Sequence, residues 1–140
     1  MKNIAFLYPS FPSEKDIADE NLGQPNLALK VKNFPKEFTF LAAIGLVNLD
    51  LEKNYSLSVN LYFNGGLVTD PDANDPSVSH KWNQSKEGGY VSTFGIPLTA
   101  NAEEPGVYTL KLFLYEKSDE DRILLDENES YLIISEGWAS

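Results

Sequence analysis

Tyr55-Ser56-Leu57-Ser58-Val59-Asn60-Leu61-Tyr62-Phe63, followed at once by Asn64-Gly65-Gly66, decides the fold class. Tyr55, Leu57, Val59, Leu61 and Phe63 alternate with Ser56, Ser58, Asn60 and Tyr62, the period of a strand with one face in the core and one in solvent. Asn64, Gly65 and Gly66 supply the positive φ angles that a tight hairpin needs, so the chain is expected to turn back through Leu67 and Val68.

The same period recurs on both sides of this hairpin. Upstream, Leu27, Leu29 and Val31 alternate with Ala28, Lys30 and Lys32, which predicts a strand near an edge. Phe38 to Leu49 is apolar on both faces and predicts a central, covered strand, bent or bulged at Gly45. Lys2 to Tyr8 is a first strand. The polar connection 9–26 holds one short helix near 13–21, capped by Ser13 with Asp16 three residues on.

Downstream, 69–89 is rich in Asp, Asn, Pro, Ser and Gly and reads as a long polar loop with room for one short strand. Tyr90 to Ile96 is extended and Pro97 is expected to stop it. Pro105 and Gly106 turn the chain into Val107 to Glu116, where Tyr108, Leu110, Leu112 and Leu114 share a side. A turn at Lys117 to Asp121, a strand Ile123 to Leu125, a second turn near Asp126 to Asn128 and a strand Tyr131 to Ile134 complete a three-stranded C-terminal meander. Seven to nine strands with almost no helix predict an all-β, mostly antiparallel two-sheet sandwich, because without helices only a second sheet can cover a half-apolar one. A barrel is the alternative. The 140 residues, 42% of them apolar, suit a single domain.

The strand Tyr55 to Phe63 with its glycine turn, then Phe94-Gly95-Ile96-Pro97-Leu98, then Pro105-Gly106-Val107-Tyr108-Thr109-Leu110-Lys111-Leu112, resembles a family of uncharacterised bacterial proteins with an immunoglobulin-like β-sandwich. The resemblance runs from about Leu27 to the end and implies a fold, with no function attached.

Composition removes several kinds of chemistry. With no cysteine there is no disulfide, thiolate metal site or cysteine nucleophile. The net charge of −10 is concentrated from Glu103 onward, where ten acids face three bases. Nucleic acid and anionic membrane surfaces, which select cations, are therefore not expected partners. The apolar run Ile4 to Tyr8 is too short for a signal-peptide core, so a soluble cytoplasmic protein is expected.

His80, the single histidine, is without a Gly-x-Ser-x-Gly element to serve, so no catalytic residue is assigned, no cofactor is expected and the protein reads as a non-enzyme. Trp82 in the same loop, and Trp138 near the C-terminus, are candidate anchors for a protein partner with His80, or covers for a sheet end. Asp70, Asp72, Asn74 and Asp75 begin like a calcium loop, but Asp75 stands where glycine is needed and Lys81 where the closing glutamate belongs. Calcium held between loops would use Asp70, Asp72 and Asp75 with Asp119 or Asp121. The leading expectation is a binding or structural module that presents loop 69–89 or an open sheet edge to a protein partner, with homo-oligomers possible. The alternatives are a carbohydrate- or calcium-binding domain or enzyme built on loop carboxylates, and an acidic nucleic-acid mimic of phage origin.

Overall fold

Side chains two apart along a strand share a face, and in this chain the shared faces meet between two sheets. The computed structural model describes residues 3–19, 21–50, 52–69, 77–78, 83–84, 90–119 and 121–137. In chain order the elements are β1 (Ile4–Ser10), α1 (Glu14–Ala18), β2 (Ala28–Val31), β3 (Lys36–Leu49), β4 (Asn54–Phe63), β5 (Gly66–Leu67), β6 (Ser77–Val78), β7 (Asn83–Gln84), β8 (Tyr90–Ala102), β9 (Gly106–Lys117) and β10 (Arg122–Glu136). One sheet has the order β1-β3-β8-β7. The other has the order β2-β10-β9-β4-β5, with β6 also on β4.

All described pairings are antiparallel except β2 against β10. In the lettering of immunoglobulin domains the sheets read A-B-E-D and A′-G-F-C-C′. The fold is thus an immunoglobulin-like β-sandwich. The core lies between the sheets, where Phe40, Ala42, Ile44 and Leu46 of β3 and Leu98 and Ala100 of β8 face Leu57, Val59 and Leu61 of β4 and Leu110, Leu112 and Leu114 of β9.

The hairpin forms as the alternation predicts. Asn64 (φ 50°) and Gly65 (φ 81°) are the two turn residues, and Phe63 pairs with Gly66. The polar side of β4 is less wet than expected, however. Ser56 and Asn60 are buried, and Thr69 donates its hydroxyl proton to Asn60 Oδ1 at 2.7 Å while accepting the Leu61 N–H. The short helix expected there is α1, with Ser13 Oγ accepting from Asp16 N–H and Asp16 Oδ2 from Ser13 N–H.

β3 is central and covered, and its irregularity falls not at Gly45, as expected, but between Leu46 and Leu49, where the register against β8 shifts and Asn48 takes a φ of 56°. A Cβ at Gly45 would overlap the Phe6 ring, which crosses the strand where the β1–β3 register shifts. Gly45→Ala is expected to cost about 2 kcal/mol through overpacking, measured by urea unfolding. Shortening Phe6 to leucine in the same chain should recover part of that loss, because the two side chains compete for one space.

Two further expectations are corrected. Pro97 does not end its strand, since β8 continues to Ala102 with Leu41 opposite Pro97. Asn101, four residues on and of the same parity, sends its N–H away from β3 to the Val68 carbonyl, so the missing N–H of Pro97 also belongs to the side away from β3. The second correction concerns the C-terminus, where β10 is one continuous strand paired with β9 from Arg122 to Ile134. The expected turn at Asp126 to Asn128 is a bulge between Leu124 and Asp126, and no three-stranded meander forms.

Asp126 explains that bulge. Its side chain is buried, with Oδ2 accepting the Asn3 N–H at 3.0 Å and the Ile4 N–H at 2.9 Å, and Oδ1 accepting the Glu127 N–H at 2.9 Å. One carboxylate thereby ties β1 of the first sheet to β10 of the second.

Candidate functional site

Most of the residues singled out in the sequence lie outside the described ones: His80, Trp82, Trp138, Asp70, Asp72 and Asp75. Asp119 and Asp121 are described and exposed at the β9–β10 turn, which is closed by the Ser118 N–H to Asp121 carbonyl bond and its reciprocal. Among the described residues no group of three or more His, Asp or Glu side chains is placed to hold a metal ion, and no helix is long and apolar enough to cross a membrane.

What the structure brings together instead is the outward face of β2, β10 and β9. Residues directly opposite across a ladder share a face, so Ile133 sits beside Val107 and Ala28, Tyr131 beside Thr109, Glu129 beside Lys111 and Glu127 beside Phe113. Tyr62 of β4 extends the Tyr131–Thr109 row. Val107 (54% exposed), Tyr131 (52%) and Ile133 (50%) stand in water on this face, and Leu27, just before β2, is exposed as well. The Ile133 N–H donates to the Leu27 carbonyl, which fixes the two segments side by side.

Charge follows the apolar rows along the strand. Lys111 Nζ lies 5.2 Å over the Tyr62 ring and 3.9 Å from Glu129 Oε1, and the Tyr131 hydroxyl contacts Glu129 Oε2 at 3.3 Å. Beyond Glu127 the face becomes aromatic again, with Phe113 and with Tyr115 under the Arg122 guanidinium at 4.6 Å. A cleft of about 440 Å³ runs along the charged rows, lined by Lys111, Phe113, Glu127, Asn128 and Glu129. The surface is therefore banded. One apolar patch and one aromatic patch flank a row of charges.

The sheet edges are built differently. Ile133 shows which parity of β10 points its N–H groups away from β9, and Glu127 and Glu129 share that parity. Both N–H groups are met by the preceding side chain, Glu127 by Asp126 Oδ1 and Glu129 by Asn128 Oδ1 at 2.8 Å. This edge has little left to offer an incoming strand. Pro97 interrupts the open side of β8, and the short strand β2 carries Lys30 and is followed by Lys32. Short strands, lysines and prolines are the devices that keep edges from pairing with other chains.

At the same end of the sandwich as Val107 and Ile133, Phe63 and Tyr108 stack with centroids 4.5 Å apart below a cleft of about 840 Å³ bordered by Glu37, Glu103 and Glu104. Tyr108 stands near the start of β9 and donates its hydroxyl proton to the Glu104 carbonyl at 2.6 Å. This is the tyrosine corner of immunoglobulin-like sandwiches. Burial, foremost, holds the Tyr108 phenol above its usual value of 10.0, and the charges of Glu104 and Glu103 push the same way.

Sequence reasoning missed the exposed patch. Its signal was the unbroken apolar run Tyr131-Leu132-Ile133-Ile134, which reads as a strand covered on both faces. Leu132 and Ile134 are covered, but Tyr131 and Ile133 are left open.

No family model matches the chain, and no curated protein matches it. Among solved structures it is similar to a bacterial adhesin from Mobiluncus mulieris containing intramolecular disulfide, isopeptide and ester bond cross-links, with a TM-score of 0.56 and 12% identity. The match covers 96% of this chain and 58% of the adhesin chain, so the present chain spans little more than half the length of its neighbour. Having no cysteine, this chain has no counterpart of the adhesin's disulfide. At that identity the likeness is one of architecture alone, and it agrees with the two-sheet β fold described above.

Proposed function

We propose that the chain is a non-enzymatic binding module that engages a protein partner through the outward face of β2, β10 and β9. The observation that carries this reading is the patch of Val107, Tyr131 and Ile133. Three large side chains, each about half exposed, stand side by side on a rigid sheet next to fixed charges. Contiguous exposed apolar surface rimmed by polar groups marks interaction sites. The use of the same architecture in a bacterial adhesin supports a binding role at the level of fold.

The face is favoured over the edges because Asp126, Asn128, Pro97 and the β2 lysine all oppose strand addition. The test compares wild-type protein with a Val107→Ser, Ile133→Ser variant as immobilised bait for the same mixture of proteins. Both positions point outward, so the variant should melt within about 2 °C of wild type, as surface substitutions do. A partner held by wild type and weakened at least about tenfold on the variant is the expected result, in line with the cost of removing central apolar contacts. Identical retention on both baits would show that binding lies elsewhere.

A further inference from the structure

We propose that the partner is a second copy of this chain, packed face to face about a two-fold axis that runs along the strands between β9 and β10. This rests on the reading just given and adds to it the identity of the partner. Such an axis sets β9 of one copy over β10 of the other, so each outward residue meets the one that stands beside it across its own ladder. Whether the contact holds depends on whether ladder neighbours attract.

They do over most of the face. Val107 and Ile133 are ladder neighbours, so at one end four half-exposed branched side chains, two from each copy, close over one another. Lys111 and Glu129 are neighbours of opposite sign, 3.9 Å apart, and the axis brings each lysine to the glutamate of the other copy as well as to its own. Further along, Tyr115 meets Leu124, which is exposed in the single chain. Only the last row, Lys117 and Arg122, sets like charges together, and it lies at the exposed rim beside Asp119 and Asp121, where solvent screens it.

The net charge of −10 does not oppose this contact, because the acidic surplus lies off the face. By ladder parity the outward side of β2, β9 and β10 carries Lys30, Lys111, Lys117 and Arg122 against Glu127 and Glu129. Repulsion between the remaining charges of the two copies is screened over about 8 Å at physiological salt. The size of the face fits as well. Val107 to Lys117 runs about 34 Å, and β10, β9 and β4 with the short β2 give a projected area of roughly 550 Å² per copy, suited to a weak reversible dimer rather than an obligate one. Face-to-face docking also follows from the edge chemistry, because the outward N–H groups of Glu127 and Glu129 are already engaged by Asp126 and Asn128.

Sedimentation velocity of the full chain in about 150 mM salt should show a reversible monomer–dimer equilibrium between about 10 μM and about 1 mM protein. Lys111→Glu and Glu129→Lys each place like charges across the axis, and each should weaken the dimer at least about tenfold. Exposure of 36% for Lys111 and 50% for Glu129 lets the fold tolerate both changes. The two variants mixed together should dimerise with one another better than either does alone, and the chain carrying both changes should recover wild-type association to within about threefold. Only a contact in which position 111 of one copy meets position 129 of the other gives that pattern. Val107→Ser with Ile133→Ser should weaken the dimer as well. A wild type still monomeric at about 1 mM overturns the second-copy inference and leaves the face to a different protein, which the bait comparison detects. A dimer that the serine variant weakens but neither charge reversal affects overturns the two-fold pairing while the face stands. A dimer indifferent to every variant lies on another surface, and the inference falls.

Discussion

Replacing Asp126 with alanine is expected to destabilise the protein by about 3 kcal/mol, enough to lower the melting temperature by about 10 °C in a chain of this size. The carboxylate accepts three backbone N–H groups, two from the start of β1 and one from its own strand. Alanine leaves those donors facing a methyl group in a buried position, and an unmet buried donor costs more than a formed hydrogen bond contributes. Asp126→Asn keeps one acceptor oxygen and turns an amide toward the remaining donors, so a loss of about 1.5 kcal/mol is expected. Hydrogen exchange gives the discriminating readout. Amide protection at Asn3 and Ile4 should drop in the alanine variant, while the β4–β9 ladder keeps its order of protection. Unchanged protection at these two amides would show that Asp126 does not join the sheets.

The same residue shows why part of the fold was hidden in the sequence. Asp126-Glu127-Asn128 reads as a turn because Asp and Asn side chains bond nearby backbone groups, and that chemistry is what the structure contains. The bonds are there, but they cap a strand edge. Local sequence shows that a side chain will satisfy its neighbour's N–H; it does not show whether the chain has bent. Pro97 misleads for a related reason, since its tolerance depends on the Asn101 parity and on a neighbouring strand nearly 60 residues away.

Where both faces of a strand meet plainly different environments, period alone sufficed. β4, β9 and the covered β3 appear where alternation and apolarity placed them, and the turn at Asn64-Gly65 follows from positive φ angles that local residues select. The patch of Val107, Tyr131 and Ile133 could not be read that way. Its members come from two strands, and their adjacency is set by the register of β10 on β9 beyond the bulge at Asp126, a pairing without a local signature. Apolar residues on a strand are ordinarily assigned to a core, and only the completed topology shows which face remains uncovered.

Tyr108→Ala is expected to cost about 4 kcal/mol, whereas Tyr108→Phe should cost about 1.5 kcal/mol. The difference separates two roles of one side chain. The ring is buried and stacked on Phe63, so alanine removes an aromatic contact and opens a cavity between β4 and β9. Phenylalanine keeps the ring and leaves the Glu104 carbonyl without its 2.6 Å hydrogen bond at the turn between β8 and β9. Alkaline pH supplies an independent check. Burial raises the Tyr108 phenol in the folded protein above its usual 10.0, so the folded state holds that proton more tightly than the unfolded chain does. The stability this contributes is complete below pH 10 and is lost as pH rises through the folded-state value. Wild type should therefore lose stability above about pH 10 more steeply than Tyr108→Phe. Tyr8, raised by burial as well, titrates in both proteins and cancels in the comparison. Urea unfolding at pH 8 and pH 10.5 measures both effects, and parallel losses in the two proteins would mean that the Tyr108 phenol is no more protected from ionisation when folded than when unfolded.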